Sequence, residues 1–191
     1  MEELLARVRA CRECEEHLPL GPRPVLRATK EAQIVIIGQA PGTKVHETGI
    51  EWNDASGDRL RDWLGVDRDT FYGTDRLAII PMSFCYPGRV KNGGDKPPRP
   101  ECAPLWHQPL LDSLPNLNLT ILIGIHAQKY YLGKSTPKTM TETVRNWRDY
   151  YPTIIPTPHP SWRTTGWLKK NPWFDVEVVP EIRKQMKAAL K

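Results

Sequence analysis

The amino-acid sequence predicts a three-layer α/β/α fold built on a central four-stranded parallel sheet. Three observations carry that expectation. Four short apolar runs rich in β-branched residues recur along the chain, helical patterns separate them, and each run leads into a segment containing glycine or proline. Runs that are apolar throughout suit strands buried on both faces, the usual state of a parallel sheet covered by helices. At 191 residues the chain has the size of one domain with a substantial core, so residues 1–191 are read as a single domain.

The elements follow in order. Glu2 to Cys11 carries Leu4, Leu5 and Val8 at helical spacing and delivers Cys11 and Cys14 to its end. Gly21-Pro-Arg-Pro then breaks the chain, and Gln33 to Gly38 forms the first strand. The second, third and fourth strands are Leu77 to Ile80, Leu119 to Gly124 and Thr153 to Ile155. Helices are expected over Gly57 to Leu64, Cys102 to Leu111, His126 to Leu132 and Thr139 to Trp147, with Pro180 opening a last one to Leu190. Gly88 to Pro100, polar, basic and rich in proline and glycine, reads as a surface loop.

Charge and cysteine usage narrow the function classes. A net charge of +5 favours a polyanionic partner, because neutralising phosphates with Lys and Arg releases condensed counterions. The opening Met1-Glu-Glu-Leu-Leu lacks the basic flank and apolar core of a signal peptide, and no apolar stretch approaches membrane-spanning length. A soluble, cytoplasmic monomer that uses no membrane is the expectation. In that reducing compartment four cysteines read as metal ligands or free thiols, not disulfides.

Ligands of open parallel sheets bind outside the carboxyl ends of the strands. Three loops are therefore expected to converge: Gly38-Gln-Ala-Pro-Gly42, Pro81-Met-Ser-Phe84 and Pro156-Thr-Pro-His-Pro-Ser161. The first is a tight turn whose glycines allow close backbone approach to a planar polar ligand. The last holds one histidine, His159, on a proline-stiffened loop.

Together these two loops resemble the paired active-site motifs of uracil-DNA glycosylases, G-[EQ]-x-P-G/Y near the start and H-P-S/A near the end. The order of Cys11, Cys14, Cys85 and Cys102 resembles that of the iron-sulfur family 4 enzymes within that superfamily. The resemblance implies a [4Fe-4S] cluster on those four cysteines, tying an N-terminal cluster-binding segment to the rest; a four-cysteine zinc site fits the same spacing. It implies a DNA partner containing a damaged or deaminated base, flipped into a pocket and released by breaking its N-glycosidic bond. His159 would donate to the departing base, the backbone of Gly38, Gln39 and Ala40 would contact it, and Trp52 would stack on it.

Where family 1 enzymes carry a water-activating aspartate in the first motif, Ala40 stands here. His46, at the position of an acidic residue in the family 4 pattern, becomes the first candidate for orienting water, Asp54 the second and Glu47 the third. Ser161, Trp162, Arg163, Lys169 and Lys170 are expected to supply DNA contacts: a wedge for the vacated stack and cations for phosphates.

One departure bears on specificity. Family 4 enzymes read uracil with an asparagine four residues before the third cluster cysteine, and Pro81 occupies that position. Proline has neither side-chain donor nor amide hydrogen, which leaves Ser83, Asn53 or Asp54 to read the base. Two readings stay open: a glycosylase for uracil or another deaminated base, and a non-catalytic iron-sulfur protein that binds nucleic acid.

Overall fold

The computed structural model describes residues 1–91 and 93–191, so Asn92, inside the expected surface loop, lies outside the described residues. Helix α1 (Glu2–Arg9) leads through the cysteine segment to strand β1 (Ile34–Ile37). Helices α2 (Thr43–Thr48), α3 (Ala55–Leu64) and α4 (Arg68–Gly73) precede β2 (Leu77–Ile79). Helix α5 (Cys102–Asp112), strand β3 (Leu119–Ile123), helices α6 (Gly124–Leu132) and α7 (Met140–Arg145), strand β4 (Ile154–Thr157) and helices α8 (Thr165–Lys170) and α9 (Val179–Ala189) complete the chain.

All strand pairs are parallel, in the order β2-β1-β3-β4. Successive strand residues point to opposite faces. Ile34 and Ile36 of β1 accordingly pack with Leu60, Trp63 and Ile182 of α3 and α9, whereas Val35 and Ile37 pack with Val8, Trp106 and Leu110 of α1 and α5. That alternation makes the three layers. The sheet switches direction beside β1, since β2 lies on one side of it and β3 on the other. A crevice for ligands is expected there.

Several boundaries differ from the sequence expectation for identifiable reasons. Strand β4 continues through Pro156, which pairs with Leu122; as an edge strand it needs no donor on its outer side. Helix α3 starts at Ala55 because Asp54 caps it, accepting from the Gly57 amide at 2.8 Å. Helices α2, α4 and α8 were not expected, and at six residues each they are too short to show a periodic apolar face. Among the described residues no helix is long and apolar enough to cross a membrane.

Candidate active site

A cleft of about 500 Å³ opens at the carboxyl edge of the sheet, where the loops after β1, β2 and β4 meet. Gly38, Gln39 and Ala40 line it, as do Trp52, Asp54, His159 and Ser161. The turn after β1 is held from behind by the segment after β2: the Met82 amide donates to Gly38 O and the Ser83 amide to Gln39 O, each at 3.0 Å.

Trp52 reaches the cleft through a left-handed backbone (φ 54°), unusual for a residue with a Cβ. A Cβ added to Gly38 would lie 2.9 Å from Trp52 Cζ2, so the indole can approach this turn only because residue 38 is glycine. Gly57 secures the same residue from the other side. A Cβ there would fall 1.7 Å from Trp52 O, and Arg61 Nη1 donates to that carbonyl at 3.2 Å. Backbone strain of this kind persists where surrounding structure enforces it, commonly at functional sites.

The ring of His159 stands 5.8 Å from that of Trp52, centroid to centroid. Its loop is strapped at several points. Thr164 Oγ1 donates to His159 O at 2.5 Å, and Arg59 donates to Ser161 O at 2.6 Å and to Thr165 Oγ1 at 3.1 Å. Burial lowers the His159 pKa from 6.5 to about 4, with the nearby Asp54 carboxylate only partly opposing it. The imidazole is therefore neutral at physiological pH, with one N–H to donate. Trp162 is exposed at the rim (76%), with the Arg163 guanidinium 5.5 Å from its ring.

The loop expected to be mere surface folds onto this cleft. Arg89 and Asp95 form an antiparallel bridge, and Arg89, Asp95 and Lys96 all line the opening. Asp95 Oδ2 would lie 3.5 Å from a Cβ on Gly42, which puts this carboxylate over the turn after β1. Burial raises its pKa, Arg89 and Arg163 oppose that rise, and Asp54 adds to it. The sequence offers only a lone acid in a basic loop as a signal for Asp95. Arg59, which straps the His159 loop, has no such signal.

Six expected site residues are not brought to the cleft. His46 sits on α2 with its ring 6.0 Å from that of Tyr86, and burial and the charge of Arg23 lower its pKa. Counting along the chain had set it beside the turn, but the helical rotation of α2 gives the cleft Val45 instead. Asn53 is tied to Thr48 and Arg68, donating to Oγ1 of the first at 3.4 Å and accepting from the second at 2.8 Å. Ser83 is buried behind the turn, and Lys169 and Lys170 occupy the last turn of α8, outside the cleft lining. Glu47, the third water candidate, is likewise outside it; its carbonyl accepts from Arg23 at 3.0 Å.

Behind Pro81 lies a second set of polar contacts. His107 is fully buried, its Nε2 is 3.0 Å from Pro81 O and its Nδ1 is 2.5 Å from Tyr131 Oη. A carbonyl only accepts, so Nε2 carries the proton and Nδ1 accepts from the tyrosine. The carbonyl of Pro81 is thus engaged by a residue behind the site.

Cys11, Cys14, Cys85 and Cys102 line one small cavity with Leu18, Pro24 and Phe84. Among the described residues no three His, Cys, Asp or Glu side chains stand close enough to hold a single metal ion. Burial pushes the Cys85 thiol up to about 11 and the Cys102 thiol up to about 12, values at which neither is a ready nucleophile. Ser83 also lines this cavity; its Oγ is enclosed and has no hydrogen-bond partner among the described residues.

Comparison with known families gives one finding. The family model described as the uracil DNA glycosylase superfamily matches residues 26–183. Cys85, Cys102 and all of the cleft lining but Val25 fall inside that span, whereas Cys11 and Cys14 precede it.

Proposed function

Since the chain belongs to the uracil DNA glycosylase superfamily, we propose that it excises uracil or another deaminated base flipped out of DNA. The observation that carries this reading is the neutral His159 imidazole, 5.8 Å from Trp52 across a glycine turn. A flat slot with one strong neutral donor suits a departing nucleobase. The base stacks on Trp52 and meets the turn after β1, whose residues Gly38, Gln39 and Ala40 line the cleft.

The reaction breaks the C1′–N bond, and the bonding pair leaves with the base. Negative charge develops on the base as the bond lengthens, so the His159 N–H stabilises the transition state more than the ground state. Being neutral, the imidazole donates without first losing a hydration shell to burial of a charge. Water then adds to C1′, and the proton it loses passes to solvent while the released base anion takes one up, so the products are the abasic sugar and the neutral base. Asp54 lines the cleft with one oxygen committed to capping α3, which leaves the other to orient that water and to face the cationic sugar.

The proposal includes an iron-sulfur cluster on Cys11, Cys14, Cys85 and Cys102. Zinc held tetrahedrally by the same four thiolates is the alternative, and metal analysis separates the two. A [4Fe-4S] cluster spreads its ligands over four corners, which fits four thiols around a shared apolar cavity holding an enclosed hydroxyl with no partner. Bound there, the cluster supplies a rigid tie between the N-terminal segment and the loop after β2, not a step of the hydrolysis. Brown protein containing iron is the expected preparation; colourless protein with one zinc and no iron contradicts it.

Pro81 leaves the choice of base to other groups, so the test uses a panel. Oligonucleotides carrying uracil, hypoxanthine or xanthine, treated with the protein and then with alkali, should break at one or more of the modified positions. Tight binding to all of them with no abasic product would favour the non-catalytic reading, which the proline in the base-reading position motivates.

A further inference from the structure

We propose that the Ser83 hydroxyl donates a hydrogen bond to a sulfur of the cluster and thereby sets its reduction potential. The inference rests on the iron-sulfur reading above and adds a residue that neither the cysteine pattern nor the family motifs contain. Ser83 is 2% exposed, lines the four-cysteine cavity and has an Oγ with no partner among the described residues. A buried hydroxyl left unsatisfied forfeits its hydration with no return, and such groups in native proteins call for an explanation.

The surroundings narrow that explanation. The cavity is lined by the four cysteines, by apolar residues such as Leu18, Pro24 and Phe84, and by Glu13 and Arg99. Glu13 is exposed and keeps its hydration, and Arg99 is a donor committed to Glu101, so the sulfurs are the desolvated acceptors nearest in kind to a buried O–H with a free rotor. Thiolate and sulfide gain far more from such a donor than a neutral thiol does, because charge-assisted hydrogen bonds are the stronger ones. Filling the cavity with an anionic cluster turns an uncompensated group into a satisfied one.

Ser83 also faces the active site through its backbone. Its amide donates to Gln39 O at 3.0 Å, in the turn that lines the cleft. One residue thus touches the cluster cavity with its side chain and the base-facing turn with its main chain. Hydrogen bonds to cluster sulfurs favour the reduced, more negative state and raise the potential.

The test is a redox titration of the iron-loaded wild type, Ser83→Ala and Ser83→Thr, followed by visible absorption and electron paramagnetic resonance. Ser83→Ala should keep its iron and shift to a more negative potential, and Ser83→Thr, which retains a hydroxyl, should return toward wild type. A second readout is the iron-sulfur vibrational spectrum on transfer to deuterated water, which should shift for wild type and not for Ser83→Ala. If Ser83→Ala holds full iron at an unchanged potential with an unchanged deuterium response, the inference is overturned while the cluster stands. Wild-type protein that binds zinc or no metal overturns the cluster reading itself, and this inference with it.

Discussion

Two histidines in this protein are lowered to about 4 by burial, and they do opposite things. His107 lies behind the site on α5, with one ring nitrogen on Pro81 O and the other on Tyr131. His159 lies in the cleft, and among the described residues its hydrogen bonding runs through its backbone carbonyl, which accepts from Thr164, and not through its ring. The same desolvation therefore marks a satisfied structural group in one region and an available donor in the other. A shifted pKa identifies a buried group; what its ring still has free to offer identifies a functional one.

The comparison breaks most sharply on substitution. His159→Ala should slow single-turnover excision by roughly a hundredfold or more, on the order of 3 kcal/mol for one lost transition-state donor, with duplex affinity nearly unchanged. His107→Ala should reverse that pattern. It leaves the Tyr131 hydroxyl and Pro81 carbonyl without partners beside a new cavity, so denaturant unfolding should show a loss of about 2–3 kcal/mol. Comparable rate losses in the two variants would erase the distinction.

Acid sharpens it next. An unfolded histidine takes up its proton near 6.5, whereas buried His107 resists until about 4, so in that window the unfolded chain binds the extra proton. Stability from this group is fully present above 6.5 and falls as the pH drops toward 4, by up to about 3 kcal/mol. Thermal melts across that window should show the decline; His159, lowered to about 4 as well, adds to it in the same direction, so His107→Phe should reduce the decline without abolishing it.

A smaller effect is expected from Gly57→Ala. The new Cβ would sit 1.7 Å from Trp52 O, so the carbonyl must move and carry the indole with it. A stability loss of about 1–3 kcal/mol is expected, together with weaker base capture read by Trp52 fluorescence. Smallest of all, Arg163→Ala and Lys96→Ala should each flatten the slope of log affinity against log salt by about one, without changing the excision rate at saturating protein.

Much of the fold was legible because its signals are local. The four apolar runs, the glycine turn and the His159 loop need only the sequence around them. What was missed depends on rotation or on distant backbone. The one-and-a-half turns of α2 carry His46 away from the cleft, and no count along the chain shows that without the helix. Trp52 was legible as an aromatic but not as a left-handed residue, since that conformation is imposed by Gly57 and Arg61 from α3. Asp95 reaches the cleft because a glycine-rich loop folds back through the Arg89 bridge, a tertiary event with no periodic trace.

The central claim, that His159 acts as a neutral donor in this cleft, is tested most directly by the pH dependence of single-turnover excision from about pH 5 to about pH 8, compared between wild type and His159→Ala. With the His159 pKa near 4 the working form is present throughout, so the ratio of the two rates should stay level across the range. A ratio that collapses about tenfold per unit as the pH rises past 6.5 would mean that the charged imidazolium does the work, and would contradict the account.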